Sequence, residues 1–131
     1  MMFLFDTNII SELFRHVPNK GVILFNKSIR QAHISVISID EILFGLSAKP
    51  SPRVSTRFEK FVKAQCIILP VSSSIAQRSG ELRGQLRSKG IARHQADMMI
   101  AATEYRHKLT LVTRNVKDFE LCDINIINPF D

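Results

Sequence analysis

Short apolar runs alternate with segments of helical periodicity along the chain. The apolar runs predict strands at residues 2–5, 33–36, 66–69, 109–112 and 124–127. The segments between them predict helices over residues 8–14, 20–30, 38–48, 53–64, 75–88 and 95–106. Strands separated by helices indicate a parallel sheet covered on both faces, because right-handed crossovers place the helices against the sheet. We therefore predict an α/β fold.

Length and composition favour one domain. A chain of 131 residues with 45% hydrophobic residues can bury one sizeable core, and we expect residues 1–131 to form a single domain. The one linker-like stretch, residues 49–52, is too short to separate two domains. The first apolar run ends at Asp6, far short of a signal peptide, and no stretch is long enough to span a membrane. We expect a soluble cytoplasmic protein with no membrane partner.

The cysteines and histidines argue against a disulfide and against zinc. Cys66 and Cys122 lie far apart beside apolar neighbours, so we expect buried free thiols. The histidines show no zinc-like spacing with each other or with the cysteines.

Positive charge is concentrated in the middle of the chain. Residues 53–114 contain 12 Lys or Arg against 4 Asp or Glu, whereas the remainder contains 6 against 8. A cationic field attracts polyanions, and nucleic acid is favoured over an anionic membrane because no basic amphipathic anchor is evident. A solvated basic surface is the alternative that charge alone leaves open.

Four acidic residues follow predicted strands. Asp6 comes directly after the first strand, and Glu41 lies in the first helical turn after the second. Asp97 lies in the first turn of the helix that begins near residue 95, and Asp118 follows the fourth strand through residues 113–115. The carboxyl ends of parallel strands and the N-terminal ends of the following helices meet at one edge, where ligands usually bind. We expect the four carboxylates to converge there.

Each acid taken alone also fits a helix cap. Residues 38–41 match a capping box, in which Glu41 reaches back to the Ser38 backbone, and the other acids fit first-turn positions. Capping does not require four acids to converge, and converging carboxylates repel one another unless a cation neutralises them. Oxygen ligands without Cys or His favour Mg²⁺ or Mn²⁺, which promote phosphate chemistry. Asp40 points elsewhere on the helix, so Glu41 is the favoured ligand of the two.

Several segments together resemble the PIN domain of VapC-type toxins. They are residues 4–8, Ser35 to Gly45 with Glu41 between them, and residues 97–102, 112–119 and 127–130. The resemblance covers nearly the whole chain and implies a three-layer α/β/α PIN-like fold with a central parallel sheet. It implies a Mg²⁺- or Mn²⁺-dependent endoribonuclease that cuts tRNA or rRNA, a cognate VapB-like antitoxin, and a homodimer.

The same resemblance implies roles for individual residues. It assigns both catalysis and metal binding to Asp6, Glu41, Asp97 and Asp118. Asn115 lies where many PIN domains have an acid, so either Asn115 or Asp118 faces the metal. The residues expected to support the carboxylates by hydrogen bonding are Thr7, Asn8, Thr113 and Asn115.

Two further surfaces are predicted. A basic segment before Asp97 is expected to guide RNA, with a solvated helix face as the alternative; its residues are Arg83, Arg87, Lys89 and Arg93. Three aromatic residues are expected to line an antitoxin groove between two helices, with core packing as the alternative; they are Phe44, Phe58 and Phe61.

Two other classes of protein share parts of this pattern. A receiver-type signalling domain would need a second acid beside Asp6 and a lysine after a late strand, and the chain has Thr7 and the segment 113–115 instead. A PIN-like module that binds RNA or protein without cutting stays possible on the sequence, although the intact acids argue against it.

Overall fold

Parallel pairing of five short strands builds the centre of the molecule. The computed structural model describes residues 1–131, and the strands lie in the order β3-β2-β1-β4-β5. The strands are β1 (Phe3–Phe5), β2 (Ala32–Ser35), β3 (Cys66–Leu69), β4 (Thr110–Val112) and β5 (Ile126–Ile127). The helices are α1 (Thr7–Leu13), α2 (Lys20–Lys27), α3 (Val36–Ala48), α4 (Pro52–Gln65), α5 (Ser73–Ser88) and α6 (Gln95–His107), with a short 3₁₀ helix at Val116–Phe119.

Alternation along the strands divides the apolar residues between two cores. Successive side chains of a strand point to opposite faces. Phe5 and Val112 accordingly pack into one core with residues of α1 to α4, whereas Leu4 and Leu111 pack into another with residues of α5 and α6. Helices therefore cover both faces of the sheet, which confirms the predicted three-layer α/β/α fold.

Small polar residues and a glycine set the ends of α5. The Ser72 side chain caps its N-terminus by accepting from the Ile75 amide. Gly90, with φ of 81°, ends it in the left-handed conformation that glycine adopts without penalty. The Ile91 amide then donates to the Leu86 carbonyl, and the chain turns towards the start of α6.

The start of α3 differs from the sequence prediction. The helix begins at Val36, and its cap is Ser35, whose hydroxyl accepts from the Ile37 amide. The predicted helix start at Ser38 is therefore wrong, and the alternative of a capping box at residues 38–41 is excluded, because Ser38 is already a buried residue inside the helix. Glu41 consequently lies in the second turn, where its side chain is free to reach away from the helix end.

Cys66 and Cys122 are both free, with Cys122 buried and Cys66 half-buried; burial raises the pKa of Cys66 to about 12. None of the helices combines the length and the apolar character that crossing a membrane requires.

Candidate active site

Asp6 stands at the point where β1 gives way to α1. It is 4% exposed, and it caps the helix because its Oδ1 accepts from the Thr7 amide at 2.8 Å. Burial raises the pKa of Asp6, and the nearby charge of Glu41 adds to the rise, whereas hydrogen bonds from Thr113, Thr7 and Asn8 oppose it. Asp6 is therefore both a helix cap and a carboxylate held in an unfavourable environment for its charge.

A polar network from the end of β4 fixes the second oxygen of Asp6. Its Oδ2 accepts from Thr113 Oγ1 at 2.8 Å and from Asn8 Nδ2 at 3.0 Å. Thr113 is fully buried, and its Oγ1 also accepts from the Asn115 amide, while Asn8 Oδ1 accepts from the Arg114 amide. The loop after β4 is thus tied to the start of α1, and the orientation of Asp6 is set before any ligand arrives.

Glu41 reaches the same edge of the sheet from α3. Thr7 Oγ1 donates to Glu41 Oε1 at 2.6 Å and lies 3.0 Å from Ser38 Oγ. Thr7 therefore links the start of α1 to α3. Thr7 and Glu41 both line the cleft beside Asp6, whereas Asp40 is exposed and does not.

Asp97 completes the core of the acidic group. It lies in the first turn of α6 and is half-buried. Burial raises the pKa of Asp97 to about 6; the charges of Asp6, Asp118 and Glu41 add to the rise, and His94 opposes it. The four predicted acids therefore lie close enough to one another to interact electrostatically.

Asp118 and Asn115 occupy different positions relative to these acids. Asn115 lines the cleft together with Asp6, Glu41 and Asp97. Asp118 lies in the 3₁₀ helix, is exposed, and contributes negative charge near Asp97 without lining the cleft.

The acids open onto a cleft of about 400 Å³, which we call the acid cleft. It is lined entirely by polar residues: Asp6, Thr7, Asn8, Ser11, Glu12, Arg15, Glu41, Asp97 and Asn115. The sequence analysis missed Ser11, Glu12 and Arg15. With Asn8 they recur at helical spacing through α1 and the turn that follows it, and that spacing was the available signal.

Glu12 differs from the other acids because its charge is already balanced. It is 5% exposed, it forms an ion pair with Arg15 at 3.1 Å, and its Oε2 accepts from the Asn19 amide at 2.8 Å. Asp6 and Asp97 have no basic partner within ion-pair distance. The uncompensated charge of the cleft therefore rests on the predicted acids.

The donor set fits a hard divalent cation. Its atoms are carboxylate, amide and hydroxyl oxygens, with no thiolate or imidazole lining the cleft. No three acidic, histidine or cysteine side chains close around a single point. Mg²⁺ commonly binds through one or two carboxylates and keeps several waters, so an open arrangement of this kind suits it.

The predicted groove residues lie elsewhere than expected. Phe58 and Phe61 are buried in the core, where Phe14 packs edge-on against both, so the prediction that they line an exposed groove is wrong. Phe44 is 73% exposed on α3. An open groove of about 580 Å³ does lie nearby, and its lining residues are Ser11, Phe14, Arg15, His16, Val17, Glu41, Ile42, Gly45, Leu46, Arg53 and Val54.

The predicted RNA-guiding residues fall near the start of α6. Arg83, Arg87 and Arg93 line one shallow pocket of about 280 Å³, whereas Lys89 is exposed at the end of α5 and does not line it.

The fold is an α/β/α sandwich with an acid cleft at the carboxyl edge of its parallel sheet. Comparison with known proteins shows which family has these features. The family model of the PIN domain matches residues 3–123. Among relatives, the chain is 30% identical to VapC ribonuclease Y4jK of Sinorhizobium fredii, covering 99% of each, and 31% identical to toxin FitB of Neisseria gonorrhoeae, covering 98% of this chain and 99% of the relative.

The similarity extends to solved structures. VapBC2 from Rickettsia felis, bound to a DNA fragment from its promoter, superposes with a TM-score of 0.86 at 25% identity, covering 100% of both chains. The chain therefore belongs to the PIN domain family and, within it, to the group that contains the VapC ribonucleases.

Proposed function

We propose that the chain is a cytoplasmic Mg²⁺- or Mn²⁺-dependent endoribonuclease and the toxin of a type II toxin–antitoxin pair. The observation that carries this proposal is the acid cleft, in which Asp6, Glu41 and Asp97 face one another without a basic partner beside Asp6 and Asp97. Two relatives that align over nearly the whole chain are named as a ribonuclease and a toxin. We infer RNA as the substrate and assign metal binding to Asp6, Glu41 and Asp97. Asp118, which does not line the cleft, is proposed to act on the metal through its charge near Asp97.

The residues of the cleft have distinct tasks in hydrolysis. Asp6 is held by Thr113, Asn8 and the Thr7 amide, so it presents its carboxylate in one orientation. Asp97 lines the same cleft and is assigned the acceptance of a proton from the attacking water. A bound divalent ion would supply charge for the phosphate oxygens and the leaving oxygen.

The proposed reaction is hydrolysis of a phosphodiester bond. Water attacks the phosphorus in line, the bond to the 3′ oxygen breaks, and the products are a 5′ phosphate and a 3′ hydroxyl. Thr7, Asn8, Thr113 and Asn115 act by positioning, because each either hydrogen bonds to an acid or lines the cleft.

The antitoxin binds, we propose, in the groove formed by α1, α3 and α4. Its apolar wall consists of Phe14, Val17, Ile42, Leu46 and Val54, which suits the apolar face of a helix. Phe44 lies on α3 and is exposed, so it is a candidate for additional contact with the same segment.

The groove and the acid cleft are continuous. Ser11, Arg15 and Glu41 line both of them. A basic residue carried by a segment in the groove could therefore reach the acids, and a guanidinium there would occupy the place of the metal charge. This continuity gives a physical route by which antitoxin binding would block activity. Homodimerisation stays a prediction, which sedimentation of the purified protein would check.

Incubation of the purified protein with total tRNA and rRNA tests the proposal. Cleavage is expected with MgCl₂ or MnCl₂ and should stop with a chelator. Expression of the chain should arrest growth, and co-expression of a neighbouring antitoxin gene should relieve the arrest. Intact RNA under all metal conditions, together with harmless expression in several hosts, would contradict the proposed function.

A further inference from the structure

The shallow pocket lined by Arg83, Arg87 and Arg93, here called the arginine pocket, is a second candidate binding site. Its remaining lining residues are Gly80, Gly84, Ile91 and Ala92. Arg83 and Arg87 stand one helical turn apart on α5 and so share a face. The single ion pair of the structure joins Glu12 to Arg15, and hence the positive charge of the pocket has no acidic partner.

The two glycines of α5 leave this pocket open. A Cβ built at Gly80 or Gly84 would meet no atom within 4 Å, so neither glycine is required by close packing. Glycine inside a helix is unfavourable compared with alanine. Two glycines on one helix face with no packing role are explained if that face must stay clear for a ligand.

Arg93 places one end of the pocket at the turn into α6, whose first turn carries Asp97. It lies in the turn between α5 and α6, four residues before Asp97. Its Nη2 donates to the Lys117 carbonyl at 3.4 Å, in the 3₁₀ helix that also carries Asp118. Its Nε is buried and has no hydrogen-bond partner. The other contact of the guanidinium is from Nη1 to the Ala92 carbonyl, also at 3.4 Å, so two long bonds to backbone carbonyls hold Arg93 at the edge of the pocket.

We propose that the arginine pocket binds a backbone phosphate of the RNA strand whose scissile bond lies in the acid cleft. This inference rests on the proposed function and extends it to the path of the substrate. Guanidinium groups bind phosphate oxygens through paired hydrogen bonds, and three of them around one concavity suit that ligand. An acidic peptide is the weaker fit, because the pocket lies at the turn into α6, whose first turn carries Asp97, whereas the groove proposed for the antitoxin lies among α1, α3 and α4.

Binding of single-stranded RNA in the presence of a chelator tests the proposal without any cleavage. The probe is a fluorescently labelled single-stranded RNA of mixed sequence, titrated with the full-length protein at several salt concentrations. The double variant Arg83→Ala/Arg87→Ala is expected to bind about tenfold more weakly or worse, since hydrogen bonds to charged groups are the strong ones. The slope of log affinity against log salt should fall by roughly 0.7, the value expected for the loss of one phosphate contact on a single strand.

Two controls separate a built pocket from a diffuse basic surface. Lys89→Ala removes the same charge next to the pocket, and Arg57→Ala removes it from the exposed face of α4. Both should change RNA affinity far less than Arg87→Ala. Equal losses for Lys89→Ala and Arg87→Ala would overturn the proposal in favour of a non-specific field.

Gly84→Ala is expected to raise stability and to lower RNA affinity. Alanine strengthens the helix, and its methyl group meets no neighbour, so the melting temperature should rise. The same methyl group enters the pocket, so RNA affinity should fall. Higher stability with unchanged RNA affinity would count against the pocket.

The outcomes also separate this proposal from the enzymatic one. Cleavage by a double variant that binds RNA as tightly as the natural chain would overturn the arginine pocket and leave the ribonuclease assignment standing. Loss of antitoxin binding with unchanged RNA binding would likewise overturn it and indicate an acidic peptide as the ligand. Weakened RNA binding with unchanged antitoxin binding supports it.

Discussion

Asp6 and Glu104 are two buried carboxylates in very different surroundings. Glu104 is 3% exposed, its Oε2 has no hydrogen-bond partner, and burial raises its pKa to about 7, with Asp123 adding to the rise and the Asn125 amide opposing it. Asp6 is 4% exposed but accepts hydrogen bonds on both oxygens. It also faces other acids across an open cleft.

Comparison of the two carboxylates shows which features mark a binding site. Burial raises the pKa at both positions, so a raised pKa alone does not distinguish them. Asp97 and Glu104 lie in the first and last turns of α6, about 10 Å apart along its axis. Only the Asp97 end joins convergent acids, preset hydrogen bonds and access to solvent. We therefore assign chemistry to the acid cleft and none to Glu104.

The largest expected effect is on cleavage itself. Asp97→Asn and Asp6→Asn should each lower the rate of RNA cleavage by about 100-fold or more, because each removes a carboxylate on which proton transfer or metal binding depends. Glu104→Gln changes a buried acid in the same conservative way, but Glu104 does not line the acid cleft. It should keep the rate within about threefold, a change of less than about 1 kcal/mol in activation free energy. Rates measured on one RNA with folding checked by circular dichroism make the comparison.

If Glu104→Gln were as inactive as Asp97→Asn while both stayed folded, the contrast between the two ends of α6 would fail.

A smaller loss is expected when a supporting hydroxyl is removed. Thr113→Val deletes the donor to Asp6 and leaves the Asn115 amide without its acceptor, so cleavage should fall by roughly 10- to 100-fold. Thr103→Val is the matched control, since Thr103 is equally buried but donates only to the Met99 carbonyl within α6. A rate for Thr113→Val equal to that of Thr103→Val would show that Asp6 needs no such support.

Divalent ions should stabilise the folded chain through Asp6 in the acid cleft and not through Glu104. MgCl₂ or MnCl₂ at about ten times its dissociation constant should stabilise the natural chain by roughly 1.4 kcal/mol, because it binds the folded state. Thermal unfolding with and without the ion measures the gain. Glu104→Gln should keep this response and Asp6→Asn should lose it; an undiminished response in Asp6→Asn would place the ion outside the acid cleft.

The smallest expected effect is a dependence of stability on pH in the metal-free protein. The folded chain keeps a proton on Asp97 up to a pKa of about 6, against an ordinary value of 3.8. Between those two values the folded state binds more protons than the unfolded state, so its stability falls as pH rises. After allowance for solvent screening, about 1 kcal/mol should be lost across this window and recovered in Asp97→Asn.

Glu104 should produce a second, separable fall, between its ordinary value of 4.5 and about 7. Saturating metal should remove the Asp97 contribution and leave that of Glu104, which Glu104→Gln then removes. Urea unfolding across this range of pH makes the measurement. A pH profile that Asp97→Asn leaves unchanged would mean that burial of Asp97 has no energetic consequence.

Local patterns predicted the elements of the fold because each pattern has a local cause. Ser72 and Gly90 bound α5 through their own backbone chemistry, and the strands were visible as short apolar runs. The start of α3 was misplaced because Ser35 and Ser38 are both competent caps, and only the length of β2 decides between them. Phe58 and Phe61 were assigned to a groove because periodicity does not distinguish a face buried in a core from one open to a partner.

The candidate site was predictable in part for a similar reason. Asp6, Glu41 and Asp97 could be brought together because strand ends share one edge of a parallel sheet. Glu12 and Arg15 were missed because their role depends on how α1 is turned, which is settled by packing across the sheet. Asn115 and Asp118 could not be ranked, since their directions depend on the loop fixed by Thr113 and Asn8.

Hydrolysis in the acid cleft is tested by the chemistry of the RNA ends produced by the natural chain and by Asp97→Asn. The two proteins are purified in parallel and supplied with Mg²⁺ or Mn²⁺. We predict 5′-phosphate and 3′-hydroxyl ends from the natural chain and no such ends from Asp97→Asn. Ends with 2′,3′-cyclic phosphate, or equal cleavage by the two proteins, would contradict hydrolysis in the acid cleft.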